Sequence, residues 1–321
     1  MRSGCGLAYS SSANLGPGFD SVALSHDAYY DVACVELGGG GEGVSVTVTG
    51  PYSRHVRGPT TAELAVREAM KAMGLSGPVR VTLWKGVPVS AGLGGSAASA
   101  VAALRALESA LGISMPLELV VRLAGESEVA SAGSPHFDNA AASAAGGLVV
   151  VTVDEGVPRV VSFDVGLRAA LLRPLVEPVQ NKTKLMREVL PGSVSMRQHV
   201  EDSSRALVLL SAILRGDLRL AGRMMADSIV TPRRAPLVPC FHRVRDSLLE
   251  AGAYGVAISG AGPSLIALGP YEELKDIASA GVSAYRSCGF DAEGLVVSAS
   301  RGSSRIDEGE AWKLIGSARE A

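Results

Sequence analysis

The sequence predicts an α+β fold divided into two domains. Its 321 residues exceed the size that one hydrophobic core usually serves, so two domains of about 150 residues each are expected. Strand-like and helix-like segments do not alternate along the whole chain, which disfavours a doubly wound parallel sheet and favours two α+β layers. The turn-forming stretch 156–158 is the expected boundary, giving domains at 1–155 and 156–321.

Composition and net charge exclude several classes of protein. Hydrophobic residues make up 47% of the chain, charged residues 19%, and the net charge is −2, so no basic surface for nucleic acid is expected. No apolar run reaches the ~18 residues of a membrane span, and the N-terminus lacks the pattern of a signal peptide. We therefore expect a cytoplasmic protein without a nucleic-acid or membrane partner.

The cysteines are expected to be free thiols. They are far apart and form no CxxC pair, lying at Cys5, Cys34, Cys240 and Cys288. This spacing is typical of neither a zinc site nor a disulfide-rich scaffold. Buried thiols in a reducing cytoplasm fit the pattern better.

The N-terminal half begins with β-branched strands joined by glycines. Segments 28–37 and 44–50 flank the glycine-rich stretch 38–43, which predicts a hairpin. After a second glycine-rich loop, apolar residues recur at intervals of three and four and predict a helix that ends at Gly112. The remaining elements expected here are helices at 61–73 and 116–132 and strands at 79–87, 146–153, 159–165 and 169–176.

The C-terminal half is predicted to be richer in helices. Its expected helices lie at 182–189, 195–214, 217–228, 239–252 and 271–287, and its expected strands at 254–259, 264–268 and 293–299. Residues 301–321 are charged and are expected to fray.

The loop before the central helix has the features of an anion site. The stretch PVSAGLGGSAAS, residues 88–99, places three glycines, followed by Ser96 and Ser99, where a helix exposes unpaired N–H groups and a partial positive charge. No lysine follows the glycines of this loop, so a Walker loop is excluded, and the loop contains no GxGxxG. The residues alone leave a plain strand-to-helix connection open as the alternative to a phosphate loop.

Three motifs in order resemble those of the GHMP kinases, the group of galactokinase, homoserine kinase, mevalonate kinase and phosphomevalonate kinase. They are SSANLGPGFDSVAL at 11–24, the loop at 88–99 and AISGAGPSLIAL at 257–268. The resemblance implies an N-terminal domain like ribosomal protein S5 domain 2, a ferredoxin-like C-terminal domain, and an active site between them that uses ATP.

Two of the segments are similar to those of the homoserine kinase branch of the group. These are SANLGPGFD and GSPHFDNAAASAAGG, the latter at 133–147. The resemblance implies transfer of phosphate from ATP to the side-chain hydroxyl of L-homoserine, giving O-phospho-L-homoserine for threonine biosynthesis. It leaves the oligomeric state open, a homodimer included.

Matching positions assign the nucleotide and the metal. The resemblance gives ATP to Lys85, near the base, and to the loop residues Pro88, Val89, Ser90, Ala91, Gly92, Leu93, Gly94, Gly95, Ser96, Ala97 and Ala98. It gives Mg²⁺ to the Ser96 hydroxyl and the Glu128 carboxylate, hard oxygen donors that suit this ion. Glu126, two residues earlier on the predicted helix, points elsewhere.

An amino-acid acceptor needs a partner for each of its polar groups. Asp20 matches the ammonium, with Asn14 in the same loop, and the resemblance gives the carboxylate to Arg187 and Arg234, whose guanidinium groups are bidentate. His136 and Asn139, which are also assigned to the substrate, lie three residues apart and would share a face near the hydroxyl if the segment is helical.

Asn139 occupies about the position of an aspartate base in mevalonate kinases. Because asparagine cannot accept a proton, we expect positioning by Asn139 and His136, together with charge neutralisation, to carry catalysis. Asp138 is the alternative base.

Departures from the pattern leave alternatives open. Gly95 replaces a serine of the second motif, Thr231 replaces a glutamate and leaves Arg233 beside Arg234, and the helix at 61–73 lacks an asparagine near its start. The alternative functions are a shikimate or mevalonate kinase and a catalytically silent GHMP-fold binding module. Shikimate has no ammonium, so Asp20 favours the amino acid.

Overall fold

The computed structural model describes residues 2–38, 43–129, 133 and 135–320. The predicted turn at 38–43 and the predicted helix end at 130–132 therefore lie largely outside the described residues. Among the described helices, none is long and apolar enough to cross a membrane.

Seven strands of the described chain form the first sheet: β1 (Arg2–Ala13), β2 (Val22–Leu37), β3 (Val44–Thr49), β4 (Val79–Trp84), β5 (Leu148–Asp154), β6 (Val157–Phe163) and β11 (Ser304–Ile306). Neighbouring strands follow the order β11-β1-β2-β4-β3, and β5 pairs with β2 and β6. The long strand β2 pairs with β4 through its second half and with β5 through its first. Alanine-rich helices pack on this sheet and form the larger core.

The helices of this first unit are α1 (Thr61–Ala72), α2 (Gly95–Leu111), α3 (Leu117–Ser127), α4 (Asp138–Ala145) and the last helix, α11 (Glu308–Glu320). α2 ends as predicted, since its C-cap Gly112 adopts the left-handed conformation with φ of 70°. Alanines along α2 are fully buried, which lets the helix approach β1 and β2 closely.

The second sheet contains four described strands in the order β10-β7-β9-β8, each antiparallel to its neighbour. They are β7 (Arg168–Pro174), β8 (Gly255–Ile258), β9 (Leu265–Leu268) and β10 (Ala292–Ser298). The associated helices are α5 (Lys182–Glu188), α6 (Met196–Leu214), α7 (Leu218–Met224), α8 (Val230–Arg234), α9 (Phe241–Glu250) and α10 (Leu274–Ser287). The order of strands and helices is that of a ferredoxin-like domain, as the resemblance implied.

The predicted hairpin of β2 and β3 is wrong. β3 instead pairs in parallel with β4, after a crossover through α1, and β4 lies between β2 and β3. A β-branched pattern does not specify a strand's partner, so two neighbouring strands with a glycine turn gave the wrong pairing.

The expected domain boundary falls inside a hairpin. Asp154 pairs with Val157 at the tight end of the β5–β6 ladder, and both strands belong to the first sheet. The chain enters the second sheet with β7, so we propose that the boundary lies at 164–167 instead of 155/156. The division into 1–155 and 156–321 was an expectation from turn residues alone.

The predicted free thiols are paired. Cys5 and Cys34 face each other on β1 and β2 and form a disulfide, and Cys240 is bonded to Cys288. The first pairing follows from strand register, which the spacing of 29 residues does not reveal. Within the described part of 301–321 the expected fraying is also wrong, because β11 pairs with β1 and α11 buries Ala311.

Candidate active site

A cavity of about 720 Å³ lies where the two sheets' units meet. Residues from both units line it: the turn after β1, the loop before α2, the end of α3, the start of α4, α5, α8 and the turn between β8 and β9. This volume lies within the usual range of small-molecule sites.

The glycine loop presents bare backbone to this cavity. Its residues 88–96 all line the cavity, and Gly94, the N-cap of α2, is left-handed with φ of 64° and offers no side chain as a cap. A Cβ on Gly92 would overlap the carbonyl oxygens of Ser259 and Gly262, so only glycine permits the contact between the two glycine segments. The first N–H groups of α2 are thereby available to an anion.

Ala97 and Ala98 lie differently from the rest of the loop. Their side chains are fully buried in the first turn of α2, and the Ala98 N–H donates to the Gly94 carbonyl. Ala98 therefore supports the helix through this hydrogen bond. Ser96 is exposed at the cavity, where its carbonyl accepts from the Thr61 hydroxyl at 2.7 Å.

Lys85 is buried beneath the loop. Its ammonium donates to the Asp31 carboxylate at 2.6 Å and to the Gly95 carbonyl at 2.8 Å. Burial lowers the pKa of Lys85, while the Asp31 charge opposes that shift. The expected role of Lys85 near the adenine does not follow from these contacts, because its ammonium is hydrogen-bonded to Asp31 and to the first residue of α2.

Asp31 was missed by sequence reasoning. Its buried carboxylate also accepts the N–H groups of Gly86 and Val87 at 2.9 Å and the Ser99 hydroxyl at 2.6 Å. The signal was an aspartate directly before the apolar run 32–35 of a predicted strand, because such a residue is buried only when its oxygens find partners.

Asp20 and Arg187, assigned to opposite charges of the substrate, pair with each other. The Arg187 Nη2 lies 2.5 Å from the Asp20 Oδ2, and the Arg187 Nε donates to the His136 Nε2 at 2.9 Å. The Phe19 ring lies 5.4 Å from the Arg187 guanidinium carbon. These contacts of Arg187 bring together the β1–β2 turn, the segment before α4, and α5.

Arg234 is the buried member of the two adjacent arginines, whereas Arg233 is exposed. Its guanidinium donates to the carbonyl oxygens of Met186 at 3.0 Å and Gly260 at 2.9 Å. Burial lowers the pKa of Arg234 to about 10, and the Asp20 charge opposes that shift. The structure thus places Arg234 in the cavity beside Arg187.

Two asparagines connect the separate segments of the site. Asn14 is left-handed, donates to the Gly260 carbonyl at 3.2 Å and accepts the Asp20 N–H at 3.1 Å. Asn139 accepts the Ser11 hydroxyl at 2.8 Å, which makes Ser11 a second residue missed from the sequence. Both asparagines line the cavity.

His136 and Asn139 do not share a helical face, because α4 begins at Asp138 and His136 precedes it. The His136 Nδ1 lies 3.5 Å from the Glu128 carboxylate, and both side chains are buried at the cavity. Burial, and next the nearby Asp20 charge, raise the pKa of the Asp138 carboxyl to about 7. A proton acceptor suited to neutral pH is therefore present in the cavity.

The donor set fits Mg²⁺. Within the described residues no group of three or more His, Cys, Asp or Glu side chains gathers around a common point. Mg²⁺ needs no such group, because it is commonly held by one or two protein oxygens, waters and substrate phosphates. Ser96 and Glu128 both line the cavity and supply oxygens of this kind.

Family models match both halves of the chain. The model described as GHMP kinases N terminal domain matches residues 60–147, and the GHMP kinases C terminal model matches residues 209–287. The homoserine kinase of Aeropyrum pernix is 48% identical over 280 residues, covering 85% of this chain and 89% of its own. The chain belongs to the homoserine kinase family of the GHMP kinases.

Further comparisons agree with this kinase family. The homoserine kinase of Pyrobaculum aerophilum is 42% identical over 294 residues, covering 91% of this chain and 97% of its own. The crystal structure of the homoserine kinase from Cytophaga hutchinsonii superimposes with a TM-score of 0.86 at 31% identity, covering 95% of this chain and 98% of that one. The predicted two-domain GHMP kinase fold is thus confirmed.

A more distant member of the superfamily shares the fold alone. The L. major mevalonate kinase crystallised with R-mevalonate gives a TM-score of 0.67 at 18% identity, covering 92% of this chain and 95% of that one.

Proposed function

We propose that this GHMP kinase transfers the γ-phosphoryl group of ATP to the side-chain hydroxyl of L-homoserine. The observation that supports it is the Asp20–Arg187 ion pair with the buried Arg234 beside it. An α-amino acid carries one ammonium and one carboxylate, so it can separate this pair and neutralise both members. Shikimate and mevalonate have no ammonium to offer Asp20.

The triphosphate lies along the glycine loop, where the α2 N–H groups and small residues accept it. Ser96 and Glu128 hold Mg²⁺, which neutralises charge on the phosphates when bound. Lys85 stabilises the glycine loop by donating a hydrogen bond to the Gly95 carbonyl. We also expect a cytoplasmic location. The cysteines do not support it, because they are paired in the structure and disulfides are rare in most cytosolic proteins.

Asn139 and His136 position the acceptor hydroxyl. Asn139 is held by Ser11 and by Asp138, whose Oδ1 accepts the Asn139 N–H at 2.7 Å. In-line positioning and charge neutralisation then carry the rate. The homoserine hydroxyl oxygen forms the new bond to the γ-phosphorus, the bond to the bridging oxygen of ADP breaks, and the hydroxyl proton passes to an oxygen of the transferred phosphoryl group. Asp138 is the competing acceptor because of its pKa near 7.

The function is tested by measuring ADP release with Mg-ATP and homoserine, shikimate or mevalonate as the acceptor. We expect turnover with homoserine and a product that is O-phospho-L-homoserine by phosphorus NMR. Turnover only with another acceptor contradicts the substrate assignment, and turnover with none favours a silent binding module. If Asp138→Asn abolishes turnover and leaves homoserine binding unchanged, Asp138 is the base and the base-free scheme is wrong.

A further inference from the structure

Lys182 is a second lysine at the nucleotide cavity, contributed by the other domain. It is the first residue of α5 and lines the cavity on the side of the glycine loop. Its ammonium donates to the Ser90 carbonyl at 3.1 Å and to the Gly262 carbonyl. It therefore touches both glycine-rich segments of the site.

The charge of Lys182 lacks a protein counterion. Across the described residues no carboxylate oxygen lies within 4.0 Å of its ammonium, and its two hydrogen bonds to carbonyl groups leave one of three donors. Burial, and next the neighbouring Arg234 charge, lower its pKa to about 7. A largely buried cation is unfavourable unless an anion joins it.

We propose that Lys182 binds the phosphate chain of the nucleotide and supplies the cation that the glycine loop lacks. Ser96 stands where a Walker loop would have its lysine, and Lys85 is already paired with Asp31. The flexible stem of Lys182 lets its ammonium leave the Ser90 carbonyl for a phosphate oxygen a short distance away. This inference rests on the proposed use of ATP.

The test compares nucleotide affinity in Lys182→Gln, Lys182→Arg and Lys184→Gln. Lys184 is an exposed lysine two residues along the same helix and serves as the matched control. Isothermal titration with ATP and with AMP separates phosphate contacts from contacts to the rest of the nucleotide. We expect Lys182→Gln to weaken ATP binding by about tenfold or more, since a hydrogen bond to a charged group is lost.

AMP affinity should change by less than about threefold in the same variant, because AMP lacks the outer phosphates. Lys182→Arg should retain most of the ATP affinity, and Lys184→Gln should match the wild type. Equal loss of ATP and AMP affinity, or unchanged ATP affinity in Lys182→Gln, overturns the inference and indicates that Lys182 only bridges the two segments.

Failure of the proposed function gives a different result. If the wild-type chain binds ATP but phosphorylates no acceptor, the proposed function is contradicted, and the comparison of the Lys182 variants still tests the inference. A wild-type chain that binds no nucleotide overturns both.

Discussion

Replacement of Asp31 by asparagine tests whether the network beneath the glycine loop stabilises the first domain. Asp31 is fully buried, and its carboxylate accepts from Lys85, Ser99 and the backbone N–H groups of Gly86 and Val87. Asparagine keeps the size of the side chain but removes the charge. With the asparagine Oδ1 kept on the Gly86 and Val87 N–H groups, its amide nitrogen faces the Lys85 ammonium, so a donor meets a donor and the buried cation loses its counterion.

The expected cost is large because both members of the ion pair are buried. The side chains of Lys85 and Asp31 are 5% and 0% exposed, and breaking such a pair from one side typically lowers the free energy of unfolding by about 3–5 kcal/mol. The Arg80–Glu36 pair on neighbouring strands joins side chains that are 53% and 45% exposed. Glu36→Gln should therefore change stability by no more than about 1 kcal/mol.

Urea unfolding followed by tryptophan fluorescence measures both effects. Trp84 is buried in β4 immediately before Lys85, so its emission reports on this part of the sheet. The double variant Asp31→Asn, Lys85→Met should recover part of the loss, since it removes the stranded charge. A loss below about 1 kcal/mol in Asp31→Asn, equal to that of the surface control, would refute the reasoning.

Three further predictions concern other parts of the molecule. Burial lowers the pKa of His26 to about 3 from 6.5, so the free energy of unfolding should rise with pH between about 3 and 6.5, contributing at most about 1.4 kcal/mol per pH unit. His26→Asn should flatten that slope in pH-dependent urea titrations. Gly92→Ala should abolish ATP binding by pushing the two glycine segments apart, whereas Gly112→Ala, left-handed but with open space around it, should only reduce stability. Glu128→Gln should raise the Mg²⁺ concentration for half-maximal activity about tenfold or more, while the exposed Glu126→Gln should leave it unchanged.

Local sequence patterns predicted most of the helices and strands, but they did not predict which strands or cysteines pair. The helix after the glycine loop and the helices α6 and α10 agree with the apolar periodicity to within a few residues. The parallel contact of β3 with β4 depends on where α1 returns the chain, which neither strand encodes. The Cys5–Cys34 bond has the same origin, because it requires the register of β1 against β2.

The motifs name residues of the site but not their contacts. Arg187, Arg234 and Glu128 line one cavity, their roles toward substrate and metal stay predictions, and their partners do not follow from the sequence. The Asp20–Arg187 pair joins residues 167 positions apart, and the Asp31 contacts join three separate segments. The first contact forms where the two domains meet and the second where strands and a helix pack inside the first domain, and a linear pattern of residues specifies neither.

The distribution of counterions around the cavity divides its cations into two classes. In the described part of the chain Lys85 and Arg187 have carboxylate partners within 4.0 Å, and Lys182 and Arg234 have none. Since a buried cation without an anion is unfavourable, the latter two gain most when ligands bring negative charge. Arg234 is the neighbour of the Asp20–Arg187 pair, and Lys182 contacts the glycine segments. With the proposed roles, the substrate carboxylate neutralises Arg234 and the phosphates neutralise Lys182. Binding of both ligands should then stabilise the contact between the domains more than binding of either alone.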